Sequence, residues 1–140
     1  MRIERNICDR LIKHAREDAP VEACGYLVEK NGIISISIPL TNVDASSEHF
    51  SLDPKEQFEA IRTIRSLGMK LAAVYHSHPS SPARPSDEDV RLAFDKNISY
   101  VIISILDENA VIKSFKIRDG NILEENIETI NQTLSSGPKE

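Results

Sequence analysis

The dipeptide Asn31-Gly32 separates two short apolar segments and restricts the fold more than any other local feature of this chain. The segment before it, residues 23–28, is apolar, and the segment after it, residues 33–38, alternates between isoleucine and serine from Ile34 onward. An Asn-Gly pair favours the two-residue turn of a β-hairpin, because both positions tolerate positive φ angles. The pattern therefore predicts a buried strand and a half-buried strand that pair antiparallel.

A first helix is predicted before the hairpin, over residues 5–18. Ile7, Leu11 and Ala15 recur there at the spacing of one helical face. His14 is expected on the exposed surface of this helix.

A second helix is predicted from signals at its two ends. Asp53 can cap it, Pro54 suits its first turn, and Glu56 would complete a capping box. Gly68 would end it. Its predicted apolar stripe consists of Phe58, Ile61, Ile64 and Leu67.

The rest of the chain adds further strands and one short helix. The predicted strands are residues 71–75, 99–106 and 111–118, the short helix runs from Ser86 to about Phe94, and residues 121–130 fit either a strand or a helix. Helices and hairpins around one mostly antiparallel or mixed sheet indicate an α/β (α+β) fold, with the central sheet flanked by helices. Because 140 residues is the usual size of one domain, we predict a single domain over residues 1–130 and a polar, flexible tail at 131–140.

Charge and composition argue against several classes of protein. Seventeen basic and twenty-two acidic residues give a formal net charge of −5, and no block is rich in Lys and Arg, so nucleic-acid binding is not expected. The chain has no run of eighteen apolar residues and no apolar leader, which argues against a membrane span and a signal peptide. Two cysteines are too few for a disulfide framework. We therefore expect a cytoplasmic protein with reduced thiols, and its oligomeric state stays open.

Residues able to bind a metal concentrate between positions 76 and 89. His76 and His78 follow the predicted strand 71–75, and a spacing of two places both on one face of a strand, with their backbones roughly 7 Å apart. Asp89 lies beyond a loop long enough to bring it back to the two imidazoles. Two histidines, one carboxylate and an open position for water are typical of a catalytic zinc site, although iron, cobalt and manganese also accept these ligands.

Each part of this pattern also has an interpretation that needs no metal. Two histidines at this spacing can be surface or packing residues, and Ser86 can simply cap the helix that contains Asp89. Cys8 and Cys24 are expected to pack in the core, because an isolated cysteine in an apolar segment is usually buried. A metal site is favoured over these interpretations because the histidine pair, the proline-rich loop at 79–85 and the carboxylate occur together.

Together these residues resemble a known motif. His76-Ser77-His78, then seven residues, then Ser86, two residues and Asp89, is similar to the JAMM motif, H-x-H-x7-S-x-x-D, of the MPN/JAB metallopeptidases. That family also carries an upstream E-x-x-G element, and Glu22-Ala23-Cys24-Gly25 is similar to it. The resemblance extends from the first helix to about residue 118.

The resemblance implies a role for each matched residue within an MPN-like domain. His76, His78 and Asp89 would bind one Zn²⁺ per chain. Glu22 would act as the general base that takes a proton from the water activated by zinc, and Ser86 would steady the oxyanion of the tetrahedral intermediate. Zinc chemistry agrees with these roles, since the ion lowers the pKa of bound water to about 7 and polarises a carbonyl.

The resemblance also implies a class of substrate. The compact chain resembles the small prokaryotic members, which process ubiquitin-like β-grasp proteins, including sulfur carriers, at or near their C-terminus. The segments 22–25 and 50–54 are most similar to a group that frees an amino acid such as cysteine from the carrier. Peptide and isopeptide cleavage both stay open. Two alternatives are a non-catalytic MPN scaffold, which typically lacks a ligand, and a zinc hydrolase of a small-molecule amide.

Overall fold

The hairpin predicted at Asn31-Gly32 is present in the structure, a computed structural model that describes residues 1–131. Both turn residues have positive φ, 55° for Asn31 and 80° for Gly32. The helices of the described residues are α1 (Arg5–Asp18), α2 (Pro54–Ser66) and α3 (Asp87–Arg91). The strands are β1 (Arg2–Glu4), β2 (Cys24–Lys30), β3 (Ile33–Leu40), β4 (Lys70–His78), β5 (Ser99–Ser104), β6 (Val111–Arg118), β7 (Asn121–Glu125) and β8 (Glu128–Ile130).

All eight strands belong to one mixed sheet in the order β7-β6-β5-β4-β2-β3-β1-β8. β4 lies in its middle, antiparallel to β2 and parallel to β5. β7 and β8 occupy opposite ends of this order, although only residues 126–127 join them. Because two residues span only about 10 Å, the sheet must curl until its outer strands approach each other. The predicted α+β class with a mixed sheet is confirmed.

The two long helices cover opposite faces of the sheet. The predicted stripe of α1 is buried and packs with Leu27, Tyr75 and Val101 on one face. α2 packs through Ala60 and Ile64 on the other face, with Tyr26 and Val28 of β2. Neighbouring residues of a strand point to opposite faces, so β2 contributes to both layers.

The predicted stripe of α2 was right for Ile64, which is buried, and for Ile61, which packs against the same cluster, but wrong at its two ends. Phe58 and Leu67 are 64% and 54% exposed, whereas Ala60 and Ile64 are buried. The line of contact with the sheet passes through a small residue, Ala60, which a search for large apolar side chains overlooks.

The capping box predicted for α2 was also wrong. Asp53 caps the helix by accepting a hydrogen bond from the amide of Lys55 at 3.1 Å. The carboxylate of Glu56 instead accepts from the amide and the hydroxyl of Thr41, both at 2.8 Å. Glu56 therefore ties α2 to the end of β3.

Other differences concern short elements and one histidine. β1 was not predicted, the open segment 121–130 forms two strands, and α3 ends at Arg91 rather than near residue 94. His14 does not lie on the open surface as expected: it is partly buried, and its Nδ1 lies 2.7 Å from the hydroxyl oxygen of Tyr75. Beyond Asn131, the predicted tail lies outside the described residues.

Across residues 1–131, no helix combines the length and the apolar character needed to cross a bilayer.

Candidate metal centre

β4 brings the two histidines of the motif together at its carboxyl end. His76 and His78 are both buried, with their Nε2 atoms 3.1 Å apart. β4 is paired on both sides, His76 with Cys24 of β2 and with Ile102 of β5, so its backbone is fixed. The expectation that both imidazoles share one face of a strand is met by this geometry.

Asp89 reaches the same point from α3. Its Oδ2 atom lies 3.1 Å from Nε2 of His76 and 3.2 Å from Nε2 of His78. Ser86 is the N-cap of α3: its hydroxyl accepts from the amide of Asp89, and its own amide donates to Oδ2 of Asp89. This capping box fixes the direction of the Asp89 carboxylate. Ser86 therefore caps α3 and at the same time points Asp89 at the two histidines.

Charge at this cluster favours an ionised aspartate. Burial raises the pKa of Asp89, but the imidazoles of His76 and His78 against its carboxylate, together with the hydrogen bond from the amide of Ser86, outweigh burial and hold that pKa far below its usual range. A carboxylate that stays ionised is the form that binds a cation.

The loop between the histidines and α3 orients His78. Nδ1 of His78 donates to the carbonyl oxygen of Pro82 at 2.8 Å. A proton on Nδ1 leaves a lone pair on Nε2, the atom that faces His76 and Asp89. Such a bond to a carbonyl is the usual outer partner of a metal-binding histidine.

Glu22 is buried beside this cluster, just before β2. The residue is 3% exposed, and within residues 1–131 its Oε1 atom has no hydrogen-bond partner. Burial raises the pKa of Glu22 to about 8, with His78 lowering it and Asp89 and Glu88 raising it. A buried carboxyl with an unused acceptor atom is costly unless the site has a partner for it.

The backbone around Glu22 is held by residues that the sequence did not single out. The amide of Ala23 donates to the hydroxyl of Ser77 at 2.7 Å, and the amide of Ser77 donates to the carbonyl of Ala23 at 2.9 Å. The side-chain amide of Asn42 donates to the carbonyl of Glu22 at 3.1 Å. Serine between two histidines and asparagine after a strand are too common to mark such roles.

A cleft of about 440 Å³ opens next to the cluster. His76 and Asp89 lie on its wall, and apolar side chains such as Val74, Ile98 and Ile102 line much of the rest. A concave, mostly apolar cleft with a few polar groups at one end is typical of a ligand site.

The three ligand atoms fit a divalent ion. One nitrogen from each histidine and one oxygen of Asp89 lie within 4.8 Å of one another. Ligands about 2.0–2.1 Å from a tetrahedral zinc lie roughly 3.3 Å apart, close to the 3.1 and 3.2 Å found here. Nitrogen and carboxylate donors in this number suit zinc and leave a position for water.

Comparison with known proteins identifies the family. Residues 4–118 match the model of the prokaryotic homologues of the JAB domain. The chain belongs to this family. The predicted resemblance to the JAMM/MPN metallopeptidases is thereby confirmed, and the matched segment ends where the sequence motifs placed it.

Two relatives of this chain have names that describe an activity. A Mycobacterium tuberculosis protein named "CysO-cysteine peptidase" is 33% identical over 133 residues, which cover 93% of this chain and 91% of that protein. A Thermus thermophilus protein named "Probable TtuB-protein conjugate cleaving protease" is 32% identical over 92 residues, 65% of this chain and 62% of that protein.

Two solved structures share the fold. Protein DSY2949 from Desulfitobacterium hafniense is 40% identical, with a TM-score of 0.86, and the match covers 94% of this chain and 93% of that one. AF2198, a JAB1/MPN domain protein from Archaeoglobus fulgidus, is 26% identical with a TM-score of 0.66, over 94% of this chain and all of that one. The MPN-like architecture expected from the sequence is confirmed.

Proposed function

We propose that this protein is a zinc-dependent peptidase that cleaves a peptide or isopeptide bond at the C-terminus of a ubiquitin-like β-grasp protein of the sulfur-carrier type. The observation that carries the proposal is the convergence of His76, His78 and Asp89 next to the buried carboxyl of Glu22. Membership of the JAB family supports it, because a complete ligand set in that family is expected of an enzyme rather than a scaffold.

The ligand set defines what a bound zinc would contribute. Held by His76, His78 and Asp89, the ion would acidify a water molecule and polarise the carbonyl of the bond to be cut. The capping of α3 and the hydrogen bond from His78 to Pro82 hold Asp89 and His78 in place before a metal binds.

Glu22 would act as the general base. Without a metal, burial raises its pKa to about 8. A zinc ion bound beside it would lower that pKa toward neutrality, where a carboxyl group can both take a proton and return it. Glu22 would take a proton from the attacking water and deliver it to the leaving amine. The unpartnered Oε1 atom supports this role, since a buried acceptor without a partner is available to a water or a substrate.

Ser86 would donate to the oxyanion of the tetrahedral intermediate. Its hydroxyl oxygen accepts from the amide of Asp89, so the hydroxyl hydrogen stays free for another acceptor. An oxyanion donor of this kind is worth roughly 3–4 kcal/mol of transition-state stabilisation. Ser86 is exposed, as contact with a substrate requires.

The names of the two relatives support the class of substrate. One specifies a CysO–cysteine peptidase and the other a protease of TtuB–protein conjugates. Both describe removal of a group joined to a partner protein, which agrees with the family resemblance seen in the segments 22–25 and 50–54. A cytoplasmic location belongs to the same proposal and agrees with the free thiols of Cys8 and Cys24.

Incubation with a β-grasp sulfur carrier tests the proposal. One substrate carries a C-terminal cysteine after its terminal glycines, a second carries a longer peptide there, and mass spectrometry follows the release of each. We expect cleavage that a chelator stops and zinc restores. Glu22→Gln should abolish cleavage while zinc stays bound, whereas Glu59→Gln on the exposed side of α2 should behave as wild type. Undiminished cleavage by Glu22→Gln, or in excess chelator, would contradict the proposal.

A further inference from the structure

The two histidines of the centre are held in different ways. His78 has an outer hydrogen bond, from its Nδ1 to the carbonyl of Pro82 at 2.8 Å. Both side-chain hydrogen bonds that His76 forms with the described residues use Nε2, the atom that faces the centre. The hydrogen bonds among the described residues therefore leave Nδ1 of His76 without the outer bond that orients His78.

An aromatic ring packs against the His76 imidazole instead. Phe50 stacks on His76 with ring centroids 4.7 Å apart and an angle of 25° between the planes. Phe50 belongs to the irregular segment between β3 and α2, and its side chain is half-buried. A stacked ring restricts rotation of the imidazole about its Cβ–Cγ bond, because turning out of the plane separates the two faces.

Asn42 holds the segment that carries Phe50. Its side-chain amide donates to the carbonyl of His49 at 3.0 Å, and its Oδ1 atom accepts from the amide of Ser51 at 3.2 Å. These are the residues on either side of Phe50. The same amide donates to the carbonyl of Glu22 at 3.1 Å, so one side chain fixes the segment of Phe50 relative to Glu22.

We propose that Phe50 is a positioning residue that sets the ring plane of His76 for metal binding, and that Asn42 holds it in place. The inference rests on the proposed function, since it assigns Phe50 a role toward the zinc that His76 would bind. Phe50 acts through His76 and does no chemistry itself. Substitution of Phe50 should therefore change the affinity for the metal and the geometry of its ligands.

Metal binding by purified variants tests this role without any substrate. Zinc affinity is measured by competition with a chromophoric chelator, and the visible absorption of the Co²⁺ form reports the ligand geometry. Phe50→Leu keeps an apolar side chain but removes the ring, and should weaken zinc binding roughly three- to tenfold and change the Co²⁺ spectrum. Phe50→Tyr keeps the ring and should stay within about twofold of wild type.

Two further variants separate positioning from loss of folding. Phe58→Leu removes an exposed ring on α2 that does not stack on a histidine, and should leave zinc affinity and the Co²⁺ spectrum unchanged. Asn42→Ala leaves Phe50 in the chain but frees its segment, and should change the Co²⁺ spectrum in the direction of Phe50→Leu. Circular dichroism establishes that each variant is folded.

The outcomes distinguish this inference from the function on which it rests. If wild type binds zinc and cleaves while Phe50→Leu has the same affinity and spectrum, the role of Phe50 is refuted and the peptidase proposal stands. If wild type binds no zinc, the metal centre itself is refuted. A loss of affinity in Phe50→Tyr equal to that in Phe50→Leu would also overturn the stacking argument.

Discussion

Ser77 and Ala23 are joined by two hydrogen bonds, one from the amide of Ala23 to the hydroxyl of Ser77 and one from the amide of Ser77 to the carbonyl of Ala23. Ser77 lies between the two histidines, and Ala23 directly follows Glu22. Since both are buried, this pair fixes the distance between the proposed base and the proposed ligands. The alternation of a strand explains why the middle residue of the motif can serve this purpose: its side chain points to the face opposite the two imidazoles.

Ser77→Ala should destabilise the protein and misplace Glu22. The substitution leaves the amide of Ala23 without its buried acceptor, which costs about 1–3 kcal/mol of unfolding free energy. Urea unfolding measures this loss, and Ser80→Ala in the exposed part of the loop should change the unfolding free energy by less than about 0.5 kcal/mol. Equal stability of the two variants would mean that the Ala23 contact contributes little.

The glycine of the upstream motif should be required for packing rather than for chemistry. A Cβ atom at Gly25 would lie 2.6 Å from the ring of Tyr75 and would overlap the carbonyl oxygen of Ile38. Gly25→Ala should therefore lower the unfolding free energy by about 1–3 kcal/mol or more, because neither the strand nor the buried ring can easily move.

The control for this prediction is a glycine that has space but an unusual backbone. At Gly120 a Cβ would meet nothing within 4 Å, but φ is 81°. Gly120→Ala should cost about 1 kcal/mol from backbone strain alone. Thermal and urea unfolding of both variants compare the two causes, and a smaller loss for Gly25→Ala than for Gly120→Ala would contradict the packing argument.

The features that could be predicted from the sequence are those that depend on local patterns of neighbouring residues. Asn31-Gly32 defined the hairpin, and the spacing of Ile7, Leu11 and Ala15 defined the buried face of α1, because turn chemistry and helical period are written in neighbouring residues. The histidine pair and Asp89 could be selected because they form a spaced motif. That the three side chains meet at one point depends on the fold, and only the structure shows it.

Contacts between residues far apart in the chain could not be predicted, because they leave no local pattern in the sequence. Asn42 and Phe50 lie in an irregular segment, and their partners are up to 26 residues away in the chain, as with Phe50 and His76. His14 was expected at the surface because a polar residue on a helix is usually solvated, yet Tyr75 on β4 supplies a buried partner. Such roles depend on which elements pack together, and not on the residue type.

In the metal-free protein, the contribution of Glu22 to stability should fall as pH rises from about 4.5 to 8. In the unfolded chain this carboxyl ionises near its ordinary pKa of 4.5, whereas burial raises the pKa in the folded protein to about 8. Between these values the folded state binds more protons, so the contribution of Glu22 to stability is fully present below pH 4.5 and is lost as pH rises to about 8. The loss between pH 5.5 and 8 is about 3 kcal/mol at most.

Glu22→Gln isolates this contribution. The amide does not ionise, so the variant should gain stability relative to the metal-free wild type as pH rises, and the two should converge toward pH 5. Unfolding free energies from urea titrations at several pH values, in the presence of a chelator, give the difference. A constant difference between pH 5.5 and 8 would mean that the folded pKa of Glu22 is close to that of the unfolded chain.

Asp89→Asn should abolish zinc binding without unfolding the protein. The neutral amide has nearly the same shape and can still accept from the amide of Ser86, but it lacks the charge that the ion requires. We expect zinc affinity to fall by at least about a hundredfold, since one of three protein ligands is lost. Asp87→Asn, in the exposed first turn of the same helix, should bind zinc as wild type does. Chelator competition measures both, and retention of zinc by Asp89→Asn would exclude Asp89 as a ligand.

Ser86→Ala should lower kcat more than it lowers metal affinity. The hydroxyl accepts from the amide of Asp89 and has a hydrogen to donate, so its removal takes away both a helix cap and the proposed oxyanion donor. Loss of the cap costs about 1 kcal/mol of stability, and loss of the donor should lower kcat roughly 10²- to 10³-fold. Ser86→Thr keeps both the cap and the hydroxyl and should retain most of the activity. Steady-state kinetics on the carrier substrate, with the zinc content determined in parallel, separates the two roles, because a residue that only caps α3 would leave kcat of the zinc-loaded variant close to that of wild type.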